Sequence, residues 1–597
     1  MDLGPPAGLD APHHALVVSD RAALMRVALG EAPADVLVTG ATVVNVYTGE
    51  LLRWDVAVAG ERVAAVAPDL SALAGPGTER LDARGRVVVP GFIDGHTHVD
   101  SLVTIPELLR EAIPRGLTGL VTEMGQPTSA LGAAGARWFL EVLRAQPIHA
   151  FGTAPVISFL TTDDGRGAPV VSETELEALL EAPGILGLGE VYWHRFLKEP
   201  KRLLPLVERA RALGKTVEGH SAGARGAKLA AFAAAGVGSS HEPITAEEAL
   251  EHLRLGMAVQ IREGSIRRDL AAVSAIRKAG VSLRRVSLVS DGIWPPDLLA
   301  HGYMDGIVQR AIDLGIPPVT AYRMASLHVA EHFGLDGDLG GIAPGRFADF
   351  LVLPDLRTVR PEVVVARGRI VARAGRCLVP LPPAVLPPDL YDGVRAGTVD
   401  AATFRIPAPG PEAWVRVIRT TGHVVTVEDE ARLPVREGAV QADPGQDCLL
   451  AAALDRRGAG LRAVGIVRGF GLREGALAST VSFDTADLVA VGASRDALAA
   501  AVRRLCALRG GLVAVDGRGS VRAELPLPIG GFASPSPLVE VARALTAFGD
   551  AARGLGCRLA SPLLPLETLT FQAIPALRLT PRGLLHVKSQ QFVPVLM

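Results

Sequence analysis

Aromatic side chains are scarce in this chain. Phe, Trp and Tyr make up 4% of its 597 residues, too few for the stacking platforms that hold single-stranded nucleic acid. A surplus of charge is also missing. The 61 Lys and Arg stand against 63 Asp and Glu, a formal net charge of -2, and no like-charged block is long enough to follow a phosphate backbone. Nucleic acid is therefore not expected as a partner. Four cysteines occur (Cys377, Cys448, Cys506 and Cys557), widely spaced and without a CxxC pair. That spacing argues against a disulfide framework and against a thiolate zinc site, and leaves small buried hydrophobes in a reducing compartment. No uninterrupted apolar run reaches the roughly 18 residues of a membrane span. The opening MDLGPPAGLDAPHH lacks both the basic and the apolar segments of a secretory signal. The expectation is a cytoplasmic chain with no membrane partner. His13-His14 sits in a Pro/Gly-rich segment and has little weight as a metal site.

What is present is an ordinary globular composition, 49% hydrophobic and 21% charged, on a chain too long for one core. Residues 1–34 form a leader with an amphipathic stretch around Asp20–Ala28. Short β-type runs follow in 35–90 (VLVTGATVVNV, DVAVAGERVAAVAP, GRVVVP), and the same texture returns in 345–400 (ADFLVLPDL, EVVVARGRIVARAG). Between them, over 91–344, strands alternate with helices: KTVEGH then ARGAKLAAFAAAG, VGSSH then TAEEALEHLRLG, MAVQIREG then DLAAVSAIRKAG. Thr245 and Glu248 fit a capping box for the second of these helices. Polar residues end strand after strand, whereas a doubly wound sheet would gather them at one switch point. The fold predicted is a (β/α)8 TIM barrel, with a small β-sandwich domain built from the two flanking segments. Past a Pro-rich linker, 414–597 reads as a C-terminal α+β domain, with a helix over RDALAAAVRRLCALRG.

The strand ends carry the chemistry. In PGFIDGHTHVD, His96 and His98 are two apart on an apolar strand, so both project to one face. Glu190 closes the apolar run of GILGLGEVY, where an ionised carboxylate needs a partner. His220 ends VEGH, His241 ends GVGSSH, and Asp291 ends VSLVSDG. Each alone has an ordinary explanation, such as a satisfied core histidine, a surface carboxylate or a helix cap. Together they supply four imidazoles and two carboxylates, a set suited to two divalent ions, Zn, Fe or Mn, with no thiolate to force zinc. Metal binding lowers the pKa of a water from 15.7 to about 7, and Asp291 is placed to act as general base beside it.

These motifs resemble the amidohydrolase superfamily, and adenine deaminases more closely. The resemblance takes in GLGEV, VEGHSAG, SSHEPITAEEALEHLRLGMAVQIREGS, SDGIWPPDLLAHGYMD and RMASLHVAEHFGLDGDLGGIAPGRFADFLVL, and continues into GIVRGFGLREGALASTVSFD and AELPLPIGGF near the end. It implies hydrolytic deamination of an aminopurine, adenine foremost, by attack of metal-bound hydroxide. His96, His98 and Asp291 would hold one metal, His220 and His241 the other, and Glu190 would bridge them. Arg262 and Glu263, in the IREGS strand, would contact the purine or order the site, and Glu123 falls in a substrate-binding stretch. The small-molecule partner is then a purine base or related heterocycle. Barrels of this size often self-associate, so a homo-oligomer is compatible, though no segment specifies an interface.

The chain departs from the family at several points. A DPHE-like stretch is Glu123, Met124, Gly125 and Gln126 here, and the second carboxylate of a late DD pair is replaced by Gly292. A segment usually reading HDSHN is Phe483 to Asp487, and an upstream HH element is Arg456-Arg457. Two further readings follow from these losses: action on another cyclic amide or substituted aminopurine, or a degenerate binding protein without catalysis.

Overall fold

The computed structural model describes residues 18–161, 170–390, 394–422 and 424–597. His13-His14 lies outside them. Eight short apolar strands after Gly91 carry the repeating unit: β1 (Phe92–Thr97), β2 (Leu117–Thr122), β3 (His149–Ala154), β4 (Ile185–Tyr192), β5 (Thr216–His220), β6 (Ser239–Ser240), β7 (Ala258–Arg262) and β8 (Val286–Val289). β1 to β5 pair in parallel as one sheet, and β6 to β8 as a second. Two seams close them into a (β/α)8 barrel. Between β5 and β6 the Gly238 N–H donates to the Val217 carbonyl at 2.9 Å. Between β8 and β1 the Asp291 N–H donates to the His96 carbonyl at 3.1 Å, and the Ser290 N–H to Asp94 Oδ1 at 3.2 Å. Tyr303 donates its hydroxyl to the other Asp94 oxygen at 2.8 Å, which completes that buried carboxylate.

The helix predicted over TAEEALEHLRLG spans Ala246–Arg254, and Thr245 caps it by accepting the Glu248 N–H. The capping box itself is not reciprocal. Glu248 Oε2 accepts from the Ile244 N–H at 2.8 Å, one residue before the cap, because Ile244 there has the unpaired donor.

The flanking segments join one nine-stranded sheet. Val87–Pro90 pairs antiparallel with Phe350–Leu353, which stitches the two halves together across the inserted barrel. The far edge curls back: the Val63 N–H donates to the Arg346 carbonyl and the Ala348 N–H to that of Glu61, each at 2.9 Å. The sheet thereby wraps a core that includes Val38, Val58, Val88, Phe350 and Val365. Helix Val18–Ala28 sets Val27 against a second small core with Leu37 and Ala57.

The C-terminal region has the predicted α+β character. A nine-stranded sheet is centred on Cys448–Leu454, buried at every position, and helix Arg495–Ala507 starts where Ser494 Oγ accepts the Ala497 N–H. This domain is docked on the barrel mouth. Ala533–Ser534 pairs in parallel with Leu102–Val103 in the loop after β1. Gln126 donates its amide to the Ser482 carbonyl at 2.9 Å, and Ser129 its hydroxyl to that of Asp484 at 2.8 Å. Arg578, wholly buried, gives its guanidinium to the carbonyls of Ile574, Thr568 and Val424, and so fixes three points of the surface facing the barrel. Among the described residues no helix is long and apolar enough to cross a membrane.

Inside the barrel, Glu218 of β5 is fully enclosed. It accepts from the Ser239 hydroxyl at 2.6 Å and the Gln260 amide at 3.2 Å, and faces His332 Nε2 at 2.8 Å. Burial opposes its charge, yet His332 and these donors hold the carboxyl down at about 2. Such a group stabilises fully above its ordinary value of 4.5, and the stabilisation is lost as pH falls through about 2. Glu218→Gln should therefore unfold more easily in urea at neutral pH, by about 1–3 kcal/mol. The gap from the parent should close as pH drops from 4.5 toward 2; a gap that stayed constant over that range would refute the pairing.

Candidate metal centre and substrate cavity

The ends of β1, β4, β5, β6 and β8 each deliver one or two side chains to the same point. Glu190 lies at the centre. Its Oε1 is 3.2 Å from His96 Nε2, 3.2 Å from His98 Nε2 and 3.3 Å from His241 Nε2, and its Oε2 is 3.5 Å from His220 Nδ1. Asp291 Oδ1 lies 3.3 Å from His96 Nε2 and 3.6 Å from His98 Nε2. The rings of His96 and His241 stack with centroids 4.1 Å apart. The six side chains fall into two overlapping groups, His96, His98, Glu190 and Asp291, and Glu190, His220 and His241, with ligand atoms in each group within 4.8 Å of one another. All six side chains singled out as ligands in the sequence are thus brought together.

Local backbone explains the convergence. His96 and His98 point inward because they alternate along the end of β1. Glu190 can sit deep because residue 189 is glycine: a Cβ there would come 2.4 Å from Glu123 Oε2. Asp291 leaves β8 with φ of 56°, a left-handed turn that aspartate tolerates better than most residues. That turn gives its N–H to His96 while its carboxylate faces the cluster.

The donor set fits divalent ions. His96 Nε2 and both ring nitrogens of His220 are sealed from solvent without a hydrogen-bond partner, which is costly for polar atoms and is relieved where a cation takes the one lone pair a neutral ring offers. Burial works against the Glu190 charge, but the surrounding histidines hold it well below the usual carboxylate range.

Arg262, at the end of β7, adjoins this cluster and lines the cavity with it. It donates Nε to Asp269 Oδ2 at 3.0 Å and Nη1 to Asp291 Oδ2 at 3.3 Å, and it bonds Glu242 Oε1 as well. Its guanidinium therefore orders carboxylates of the site. Glu263, the next residue, turns the other way. Its carboxylate meets Arg310 at 2.8 Å and the Leu270 N–H at 3.3 Å, and it is not among the cavity-lining residues. Glu123 does line the cavity, 4.0 Å from His96 Nδ1, and burial with Glu190 nearby pushes its carboxyl up to about 7.

Sequence reasoning missed several groups. Glu242, next to His241, has Oε1 3.3 Å from His241 Nε2 and 3.7 Å from His220 Nε2. Its position directly after a strand-end histidine was the available signal. Tyr192 donates its hydroxyl to Asp484 Oδ1 of the C-terminal domain at 2.6 Å and lies against His220, ring centroids 5.0 Å apart. Above the cluster is a cavity of about 370 Å³, roofed by Val424, Phe483, Asp484, Glu567, Phe571 and Ile574. Phe483 stands 6.2 Å from the His98 ring and Phe571 5.7 Å from that of His220. Phe483 and Asp484 stand out in the sequence only as departures from the family's HDSHN segment, and no local pattern marks Val424, Glu567, Phe571 or Ile574.

Two family profiles match the chain. Residues 87–371 match the amidohydrolase family, and residues 423–591 match the adenine deaminase C-terminal domain. An adenine deaminase of Moorella thermoacetica is 38% identical, over 96% of this chain and 97% of that relative. That of Rubrobacter xylanophilus is also 38% identical, over 95% and 96%. A third, from Cenarchaeum symbiosum, is 36% identical over 96% and 94%.

Arg262→Met keeps the side-chain volume but leaves Glu242, Asp269 and Asp291 without their shared cation. The barrel should lose about 3–5 kcal/mol of stability, measured by denaturant unfolding. A variant as stable as the parent would show that those carboxylates do not depend on Arg262.

Proposed function

The chain belongs to the adenine deaminase family of amidohydrolases, and from that membership we propose that it hydrolyses the C6 amine of an aminopurine, adenine foremost, to hypoxanthine and ammonia. The observation that carries this reading is the pair of overlapping ligand groups sharing Glu190 at the floor of a largely apolar cavity. His96, His98 and Asp291 would hold one divalent ion, and His220 and His241 the other. Glu190, with its oxygens 3.2–3.5 Å from a nitrogen of each of the four histidines, would be shared between them. Zinc, iron and manganese all suit this oxygen- and nitrogen-rich set. When bound, such ions polarise a water molecule and lower its pKa toward neutrality.

The protein's own groups do the rest. Asp291 takes the proton from the attacking water as the C6–O bond forms, and returns it to the amine as the C6–N bond breaks. Histidine contacts and Arg262 keep Asp291 ionised against the cost of burial, so it starts each cycle as a base. Arg262 keeps hold of Asp291 Oδ2, which leaves Oδ1 on the cluster side for the transfer. Glu123, at about 7, is poised to share a proton with a ring nitrogen of the bound base. Phe483 and Phe571, ring centroids 5.4 Å apart, offer apolar surface to the flat ring and keep bulk water out.

Ammonia release from adenine by Mn-, Fe- or Zn-loaded protein, set beside a panel of substituted aminopurines and cyclic amides, tests the substrate. Chelation should abolish the activity and re-addition of one of these ions should restore it; turnover that persisted through exhaustive chelation would end the metal reading. Asp291→Asn should keep the fold and lose turnover by about 10²–10⁴-fold. Parent rates in that variant would remove Asp291 as the proton carrier.

A further inference from the structure

Glu567 closes the short helix Leu563–Glu567 in the C-terminal domain, is 2% exposed, and lines the same cavity as Glu190 and His220. Its carboxyl makes no hydrogen bond or ion pair with any described residue, and Oε1 is sealed from solvent without a partner. Among the described residues only its main chain is engaged. The Glu567 carbonyl accepts the Phe483 N–H at 2.9 Å, which sets the side chain beside the Phe483 and Phe571 pair that overhangs His98 and His220. Among the described residues nothing rewards a carboxyl at this place, and against them an apolar side chain of similar size would be more stable. A polar group kept in such a position points to a ligand.

We propose that the Glu567 carboxyl recognises the substrate, binding an adjacent ring nitrogen and ring N–H on the edge of a free purine base turned away from the ligand cluster. This rests on the aminopurine reading above. With C6 and its amine facing the cluster, the opposite edge of adenine presents N3 as acceptor and N9–H as donor. Burial alone drives the Glu567 carboxyl well above the ordinary carboxylate range, so it stands as the acid, with an O–H donor and a C=O acceptor side by side. Two antiparallel hydrogen bonds then satisfy both partners. A substituent on N9 removes the donor and takes up the space, so the same contact selects free bases over N9-substituted ones.

The test uses metal-loaded full-length protein, with adenine and 9-methyladenine as substrates, and compares the parent with Glu567→Met and Glu567→Gln. Glu567→Met should melt no lower than the parent, because it removes an unpartnered buried acid. It should raise KM for adenine about tenfold or more, leave kcat within about threefold, and shrink the preference for adenine over 9-methyladenine by a similar factor. Glu567→Gln keeps a donor and an acceptor and should stay within about threefold of the parent in KM. Parent-like KM and preference in Glu567→Met would overturn the assignment. So would a lowered melting temperature with kcat and KM damaged together, or a Glu567→Gln as impaired as Glu567→Met. Failure of the parent itself to release ammonia from adenine would overturn the aminopurine reading and this contact with it, an outcome visible before any variant is made.

Discussion

Glu190 is buried with its oxygens 3.2–3.5 Å from nitrogens of four histidines, and imidazoles and carboxylates crowded this closely are unfavourable unless positive charge is supplied. Asp291, Glu242 and Glu123 stand around the same point, while Arg262 is the one guanidinium set among the described groups of the cluster. The surrounding architecture follows from that imbalance. Arg262 compensates the outer carboxylates, the barrel fixes the spacing of the inner ones, and the orphaned histidine nitrogens are left for divalent cations. A site designed only for stability would not gather these groups.

Much of this was legible in the sequence because each ligand stands where an apolar run stops. Strand alternation at His96 and His98, and isolated polar residues closing β4, β5 and β6, mark one face and one end of a barrel without any knowledge of distances. The same rule also warns about Arg262 and Glu263. Neighbours at a strand end point to opposite sides, so the pair could not both face the cavity, and Glu263 duly meets Arg310. Glu242 escapes the rule because it follows the two-residue β6, where the chain already turns and both His241 and Glu242 can face inward.

The roof was not legible, for a physical reason. Phe483, Glu567 and Phe571 sit in a turn and in the irregular chain around a short helix, so no period ties them to a face. They reach the site through tertiary packing: Arg578 pins the carbonyls of Val424, Thr568 and Ile574, and Gln126 and Ser129 of the barrel bond the carbonyls of Ser482 and Asp484. Chemistry and recognition are thereby divided between two domains: the barrel furnishes charge at its strand ends, and the C-terminal domain furnishes shape. The residues lost relative to the family, near Glu123 and Phe483, lie on the two sides of that one boundary, with Gln126 bonded to the Ser482 carbonyl across it.

The two-residue pairing of Ala533–Ser534 with Leu102–Val103 ties the C-terminal domain to the loop that begins at His98. One short loop thus carries both an imidazole of the cluster and a strand contact between the domains. Were that loop to couple the two, ion binding would strengthen domain docking and docking would strengthen ion binding by the same factor.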